Sequence, residues 1–531
     1  MNRVKILDCT LRDGGYVNNW KFGEHTIKSI INRLDTSGVD IIEVGFLTEK
    51  DKDRDYTLFS STNQIEEVMP KSHNSLYVGM IAIGEKEIHP SKLEKYNGKS
   101  IDGIRLTFHQ NEVDKAIEWA NIIKEKGYKV FMQPVGTIFY SDAELLDLVQ
   151  KMNDLKPYAF YIVDTLGSMY RNKLLYMFYL IDSNLNSDIR IGFHAHNNLQ
   201  LAFSNAQELS RIHTQRCLIL DSSVYGMGRG AGNLPTELIT QYINANIEQK
   251  YDTTTILDIY DESISLIHEE YEWGYSMPYY LAASYVCHPN YASFLMNKQT
   301  LTMKDIEKIL CSIPKEKRGI FNKKLIEECY IKYQNKKIDD SQVVEMLTNC
   351  LKDKKVLVLA PGKSLVEEYS KITSFIEKEN PYVISVNFLD TKFNIDACFV
   401  SNHKRIESIE TERKNMDVSV IATSNVELKE NTKNIFVDYY SYTNQDERVF
   451  DNAGLMLFKL LNECKVEEVT LAGFDGFKMR YNENYYNDNL NIQIDETELN
   501  DKQKRIAFQL KEMNKKLKLV FLTKSVYAEE I

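Results

Sequence analysis

The chain has 531 residues, more than one ordinary hydrophobic core organises, so two or three domains are expected. Its 43% hydrophobic and 27% charged residues are the make-up of a globular protein, and a formal charge of -11 argues against nucleic acid or an anionic membrane as main partner. Small molecules are the expected ligands. Eight cysteines stand singly at 9, 217, 287, 311, 329, 350, 398 and 464, which fits reduced thiols in a cytoplasmic protein better than a disulfide frame or a zinc ribbon. No apolar run is long enough to span a bilayer, so no membrane partner is expected.

From Val4 onward, short β-branched runs alternate with amphipathic stretches. The runs are Val4 to Cys9, Asp40 to Phe46, Leu76 to Ile83, Gly103 to Phe108, Lys129 to Pro134, Ala159 to Asp164, Arg190 to His194 and Cys217 to Asp221. Helical spacing lies between them, as in Glu112 to Lys126, Ala143 to Leu155 and Leu199 to Arg211. Eight such units within about 250 residues predict an α/β fold that opens with a (β/α)8 TIM barrel over 1–255. An open doubly wound sheet would want a glycine-rich first turn, which Arg12-Asp-Gly-Gly15 does not supply.

Reactive groups of such a barrel sit at the C-terminal strand ends, where Arg12, Asp13, Glu43, His109, Gln133, Asp164, Thr165, His194 and His196 fall. In Ile191-Gly-Phe-His-Ala-His-Asn-Asn198 strand alternation turns His194 and His196 to one face, about 7 Å apart along the backbone. Two imidazoles and a following carboxamide make half of a divalent-metal site. Asp13 supplies the anionic oxygen, and Arg12 beside it is suited to a substrate carboxylate or an enolate oxygen. Glu43 reads equally as a salt-bridge partner of Arg105 or Arg12 and as a direct participant.

Four segments together resemble the metal-dependent aldolase and pyruvate-carboxyltransferase-like barrels, the DRE-TIM metallolyases. They are Cys9-Thr-Leu-Arg-Asp-Gly14, Val163-Asp-Thr165, Gly192-Phe-His-Ala-His-Asn-Asn-Leu199 and Asp221 to Glu237, with Gly226-Met-Gly-Arg-Gly-Ala-Gly-Asn233 inside the last. The likeness covers roughly residues 1 to 300 and leans toward the 4-hydroxy-2-oxovalerate aldolases. It implies Asp13, His194 and His196 as ligands of Mn²⁺ or Mg²⁺, Arg12 at the pyruvate enolate, Thr165 near the keto acid, Asn233 as an additional ligand, and Tyr291 as a catalytic tyrosine. It also implies a 2-keto acid and an aldehyde as reactants. Where those aldolases carry a histidine as base, three residues after the metal aspartate, this chain has Tyr16, a poor base at neutral pH unless its pKa is shifted. An acyl-CoA-dependent Claisen-type synthase on the same barrel is the alternative.

From 256 to 351 the pattern is helical, with an aromatic cluster at Tyr271 to Tyr280, and reads as an extension that packs on the barrel, touches a partner or a second subunit of a homo-oligomer, or only connects. Residues 352–531 again alternate strand and helix, which predicts a Rossmann-like α/β domain. Its Pro361-Gly-Lys-Ser364 turn is no P-loop, because Leu357 stands where a glycine is required, but its amides are expected to suit a phosphate. Asn452-Ala-Gly-Leu455 and Val469 to Asp475 resemble sialyltransferase-like nucleotide-binding domains, which implies a nucleotide or nucleotide-sugar near Gly362, Asn387 and Asp475 and a role in surface-polysaccharide assembly. A purely structural domain is the other reading.

Overall fold

A computed structural model describes residues 4–49, 53–71, 74–446, 448–479, 483–487, 490 and 496–530. The chain forms two compact units, one of residues 1–293 with 314–321 and one of residues 294–313 with 322–531. Helices between 256 and 351 therefore belong partly to each.

The first unit contains strands β1 (Val4–Asp8), β2 (Ile41–Leu47), β3 (Leu58–Phe59), β4 (Leu76–Ala82), β5 (Gly103–Phe108), β6 (Lys129–Pro134), β7 (Ala159–Asp164), β8 (Arg190–Ala195) and β9 (Leu218–Ser222). All pair in parallel in the order β1-β9-β8-β7-β6-β5-β4-β2, and β1 also pairs β2, with Leu7 beside Ile41. The sheet therefore closes into an eight-stranded barrel. The two-residue β3, unforeseen because it lacks a periodic run, adds to β2 outside that ring.

Closure explains why these strands read as continuous apolar runs, since both faces are buried. Leu7, Ile41, Val78, Phe131, Tyr161 and Ile219 form one apolar cluster, filling the space the strands enclose. Their alternating neighbours Ile6, Ile42, Ile104, Val130 and Ile162 belong to a second, larger cluster beneath the helices. Local chemistry starts the helices: Ser141 and Glu144 exchange side-chain and backbone hydrogen bonds in a capping box ahead of helix Asp142–Leu155. With every strand parallel, all C-terminal ends share one rim.

The second unit holds strands β10 (Val356–Leu359), β11 (Tyr382–Val386), β12 (Ala397–Val400), β13 (Ser419–Thr423), β14 (Asn434–Val437), β15 (Glu468–Ala472) and β16 (Lys518–Phe521). They form one parallel sheet ordered β14-β13-β12-β11-β10-β15-β16, with apolar clusters on both faces. The chain steps outward from β10 to β14, then crosses to β15 on the other side, so the order reverses between β10 and β15. Among the described residues no helix is long and apolar enough to cross a membrane.

Candidate active site

Strand β1 stops at Asp8 and the chain turns at once. The amides of Arg12 and Asp13 both donate to the Cys9 carbonyl, at 3.1 and 2.8 Å, and a single helical turn follows at Gly14–Tyr16. This turn leaves Arg12 and Asp13 buried on the C-terminal rim. Strand β8 brings His194 to the same rim, and His196, one residue past the strand, forms an isolated bridge with Asn233. The two imidazoles lie 5.3 Å apart between ring centroids. Donor atoms of Asp13, His194 and His196 all fall within 4.8 Å of one another. Two glycines permit this. A Cβ at Gly192 would lie 2.3 Å from the Tyr161 ring, and one at Gly228 would lie 2.4 Å from Asn233 Nδ2 and 3.1 Å from Asp13 Oδ2.

Burial alone would raise the Asp13 pKa, but Arg12, the imidazoles of His196 and His194 and a hydrogen bond from Asn233 hold it well below the usual carboxylate range. Burial pushes the His196 pKa down to about 4, so its ring is neutral, as a ligand requires. Asn233 Nδ2 donates to Asp13 Oδ2 at 2.7 Å and to the Met227 carbonyl at 3.2 Å, while its Oδ1 is buried without a partner. His196 Nδ1, Arg12 Nη2 and Gln133 Oε1 are buried and unpartnered as well. One carboxylate, two imidazoles and an orphaned carboxamide oxygen are a donor set that fits a divalent cation. The neighbouring Asn198, by contrast, accepts from Ala231 N–H and donates to the Leu166 carbonyl, so this carboxamide ties loops together.

Behind the donors runs a chain of buried charges. Arg12 Nε donates to Glu43 at 2.7 Å, Arg105 Nη1 donates to the same Glu43 oxygen at 2.9 Å, and Arg105 Nη2 pairs with Asp221 Oδ2. That Asp221 oxygen lies 3.0 Å from His194 Nδ1. Glu43 thus bridges both arginines. Asp221 was overlooked at sequence level, although a carboxylate closing an otherwise apolar strand is a visible signal.

Residues 103–262 match the HMGL-like family. That match spans strands β5 to β9 of the barrel. Relatives named 4-hydroxy-2-oxovalerate aldolase include one from Geobacillus genomosp. 3, 28% identical over 48% of this chain and 75% of its own length, and one from Mycolicibacterium smegmatis, 28% identical over 49% and 75%. The N-terminal domain of a candidate aldolase from Bacteroides vulgatus is similar at 25% identity and a TM-score of 0.48, covering 57% of this chain and 99% of that one.

Within the barrel, Tyr16 sits beside the donors, with its ring edge-on to Trp20 at 4.7 Å and Arg229 and Lys86 over its face. Burial and the nearby Asp13 push its pKa up to about 12, so Tyr16 is a phenol at neutral pH. Thr165 Oγ1 accepts from Gly136 N–H at 2.8 Å and keeps its own proton to donate. Tyr291 differs from expectation: it is fully buried, and its hydroxyl faces the Lys317 and Ile320 carbonyls at 3.0 and 2.8 Å. The imidazole that approaches Tyr16's neighbour Arg229 is His288, whose Nε2 lies 3.0 Å from Arg229 Nη2. Asp164 caps the next turn by accepting from Ser168 and Met169 N–H, and His109 caps the turn before Glu112.

In the second unit, Gly362, Asn387 and Asp475 all line one cavity of about 500 Å³. The expected phosphate seat at Pro361-Gly-Lys-Ser364 is corrected by the hydrogen bonds. Ser364 N–H and hydroxyl both donate to the Asp475 carboxylate, and Gly362 N–H donates to the Gly473 carbonyl, so those amides are engaged and faced by an anion.

Proposed function

We propose that the HMGL-like barrel is a divalent-metal-dependent carbon–carbon lyase of the aldolase type, acting on a 4-hydroxy-2-oxo acid through a pyruvate enolate. The observation that carries this reading is the convergence of Asp13, His194 and His196 donors within 4.8 Å on the rim, beside a buried Arg12 with an unpartnered Nη2. The aldolase names of relatives 28% identical over half the chain support the lyase class. Asp13, His194 and His196 would hold the ion, with Asn233 Oδ1 as a further donor, and two imidazoles favour Mn²⁺ over Mg²⁺. When bound, the ion supplies Lewis acidity toward the oxygens of a 2-keto acid.

The side chains divide the remaining work. Arg12, gripped through Nε by Glu43, presents Nη2 to the oxygen on which enolate charge develops. Thr165 donates its hydroxyl to the keto acid. Tyr16, protonated to about pH 12, donates a hydrogen bond to the oxygen of the aldehyde half. The test is pyruvate release from a panel of 4-hydroxy-2-oxo acids by the Mn²⁺-reconstituted protein and by a His194→Ala, His196→Ala variant. Release by the wild type alone supports the reading, and release by neither sinks it.

A second reading concerns the other unit. We propose that its cavity takes a nucleotide or nucleotide-sugar, because it opens where Ala360-Pro361-Gly362 and Gly473-Phe474-Asp475 follow β10 and β15, the pair between which strand order reverses. Arg405, Arg448 and Lys502 line it together with Phe474 and Phe477, in place of the Pro361-to-Ser364 amides. Thermal melting of the full chain with UMP, CMP, ADP and UDP-glucose tests this, and no shift with any of them at millimolar concentration would count against it.

A further inference from the structure

We infer that Asp221 and Arg105 are positioning residues that hold the metal-ligand histidine and the enolate arginine as one electrostatic unit. The inference rests on the metal-dependent reading above. Six side chains from five strands and loops make a continuous arc: Asp13, Arg12, Glu43, Arg105, Asp221 and His194. It begins at one candidate ligand and ends at another, and the charges alternate along it. Glu43 and Arg105 are wholly buried, and Asp221 is 2% exposed.

Stability does not account for such an arrangement. Desolvating buried ions offsets most of their attraction, and apolar residues of similar volume commonly serve a core as well or better. The arc instead fixes directions. Asp221 is a carboxylate already paired with Arg105, so His194 Nδ1 meets it as a donor, which leaves the Nε2 lone pair as the ring's ligand atom. Arg105 grips Glu43 at the same oxygen that receives Arg12 Nε, so Arg12 cannot turn without breaking a buried pair. The stacking of Arg105 over the Tyr161 ring, 4.7 Å from its centroid, adds a third restraint, and Tyr161 is the ring against which Gly192 of β8 lies. Position of the ligand strand and direction of the guanidinium are thereby tied to one side chain.

Two measurements test this. In the wild type, ¹⁵N shifts of labelled histidine should report His194 as the Nδ1–H tautomer without metal, and an Nε2–H tautomer would overturn the inference. Mn²⁺ affinity, kcat and KM are then compared in wild type, Asp221→Asn, Arg105→Lys and Asp8→Asn. The last removes a carboxylate that is equally buried but bonded to Thr10 and Thr236. Asp221→Asn is expected to weaken Mn²⁺ binding roughly 10- to 100-fold. Arg105→Lys, which cannot bridge two carboxylates in the same fork, should lower kcat more than it raises KM. Asp8→Asn should leave Mn²⁺ affinity within about twofold. Equal losses in Asp8→Asn and Asp221→Asn would mean general destabilisation and overturn the proposal, as would unchanged Mn²⁺ binding in Asp221→Asn. Failure of the wild type to bind Mn²⁺ at all would instead defeat the metal-dependent reading, and the tautomer would still decide the role of Asp221.

Discussion

Tyr16 and His288 show how single residues at the rim are tuned by their surroundings. A free phenol ionises near pH 10, but burial and Asp13 carry Tyr16 to about 12. The neutral form therefore persists, and kcat/KM between pH 6 and 10 should show no limb that disappears in Tyr16→Phe, while that variant loses roughly 100-fold in kcat with Mn²⁺ affinity unchanged. An alkaline limb near pH 10 present only in the wild type would contradict the assignment. His288 is shifted the other way: burial, then Arg229 and His196, bring it down to about 3. Its folded pKa lies below its unfolded value near 6.5, so the unfolded chain binds the extra proton. The stability this group contributes is complete above pH 6.5 and is lost as pH falls toward 3. Urea midpoints of the metal-free protein measured from pH 7.5 to 4 should fall less steeply in His288→Gln than in wild type, and parallel curves would refute it.

At the scale of elements, strand β8 illustrates why the candidate donor cluster was legible and the partners of other residues were not. Alternation along Phe193-His-Ala-His196 and the charged turn after β1 are local, so the histidine pair and Asp13 could be read directly from spacing. Tyr291 and Ser364 could not, because their partners are set by folding: the Tyr291 hydroxyl meets carbonyls 26 and 29 residues away, and Ser364 meets Asp475 at a separation of 111. Gly192 is a further case, since only the approach of Tyr161 from the adjacent strand makes a glycine necessary. Gly192→Ala should therefore push β8 from Tyr161, costing about 1–3 kcal/mol of stability by overpacking and weakening Mn²⁺ binding through His194. A variant with wild-type melting temperature and Mn²⁺ affinity would show that the ring simply moves aside.

For the whole molecule, two compact units with separate apolar cores imply that unfolding is not a single step. Calorimetry should resolve two transitions, with Mn²⁺ at 100 times its dissociation constant raising only the barrel's, by about 2.7 kcal/mol, and chelation reversing that shift alone. One transition, or a shift of both, would mean that the units unfold together. The separation also bears on function, since a ligand of the cavity at the β10–β15 reversal would move the other transition.

The sequence by itself determined the eight strands of the barrel ring and the strand–helix alternation of the second unit, because burial on two faces demands apolar β-branched runs and these are written contiguously. It also determined the chemical types of the candidate donors Asp13, His194 and His196, which local strand and turn geometry brings to one rim. Only the tertiary structure decided how the donors are held. The Arg12–Glu43–Arg105–Asp221–His194 arc joins residues up to 116 positions apart in its successive pairs, and an ion pair between distant strands leaves no periodic trace in the chain. For the same reason it was folding that sent the Tyr291 hydroxyl to backbone carbonyls and closed the Pro361-to-Ser364 turn with Asp475: each buried polar group takes the partner that the finished packing brings within reach.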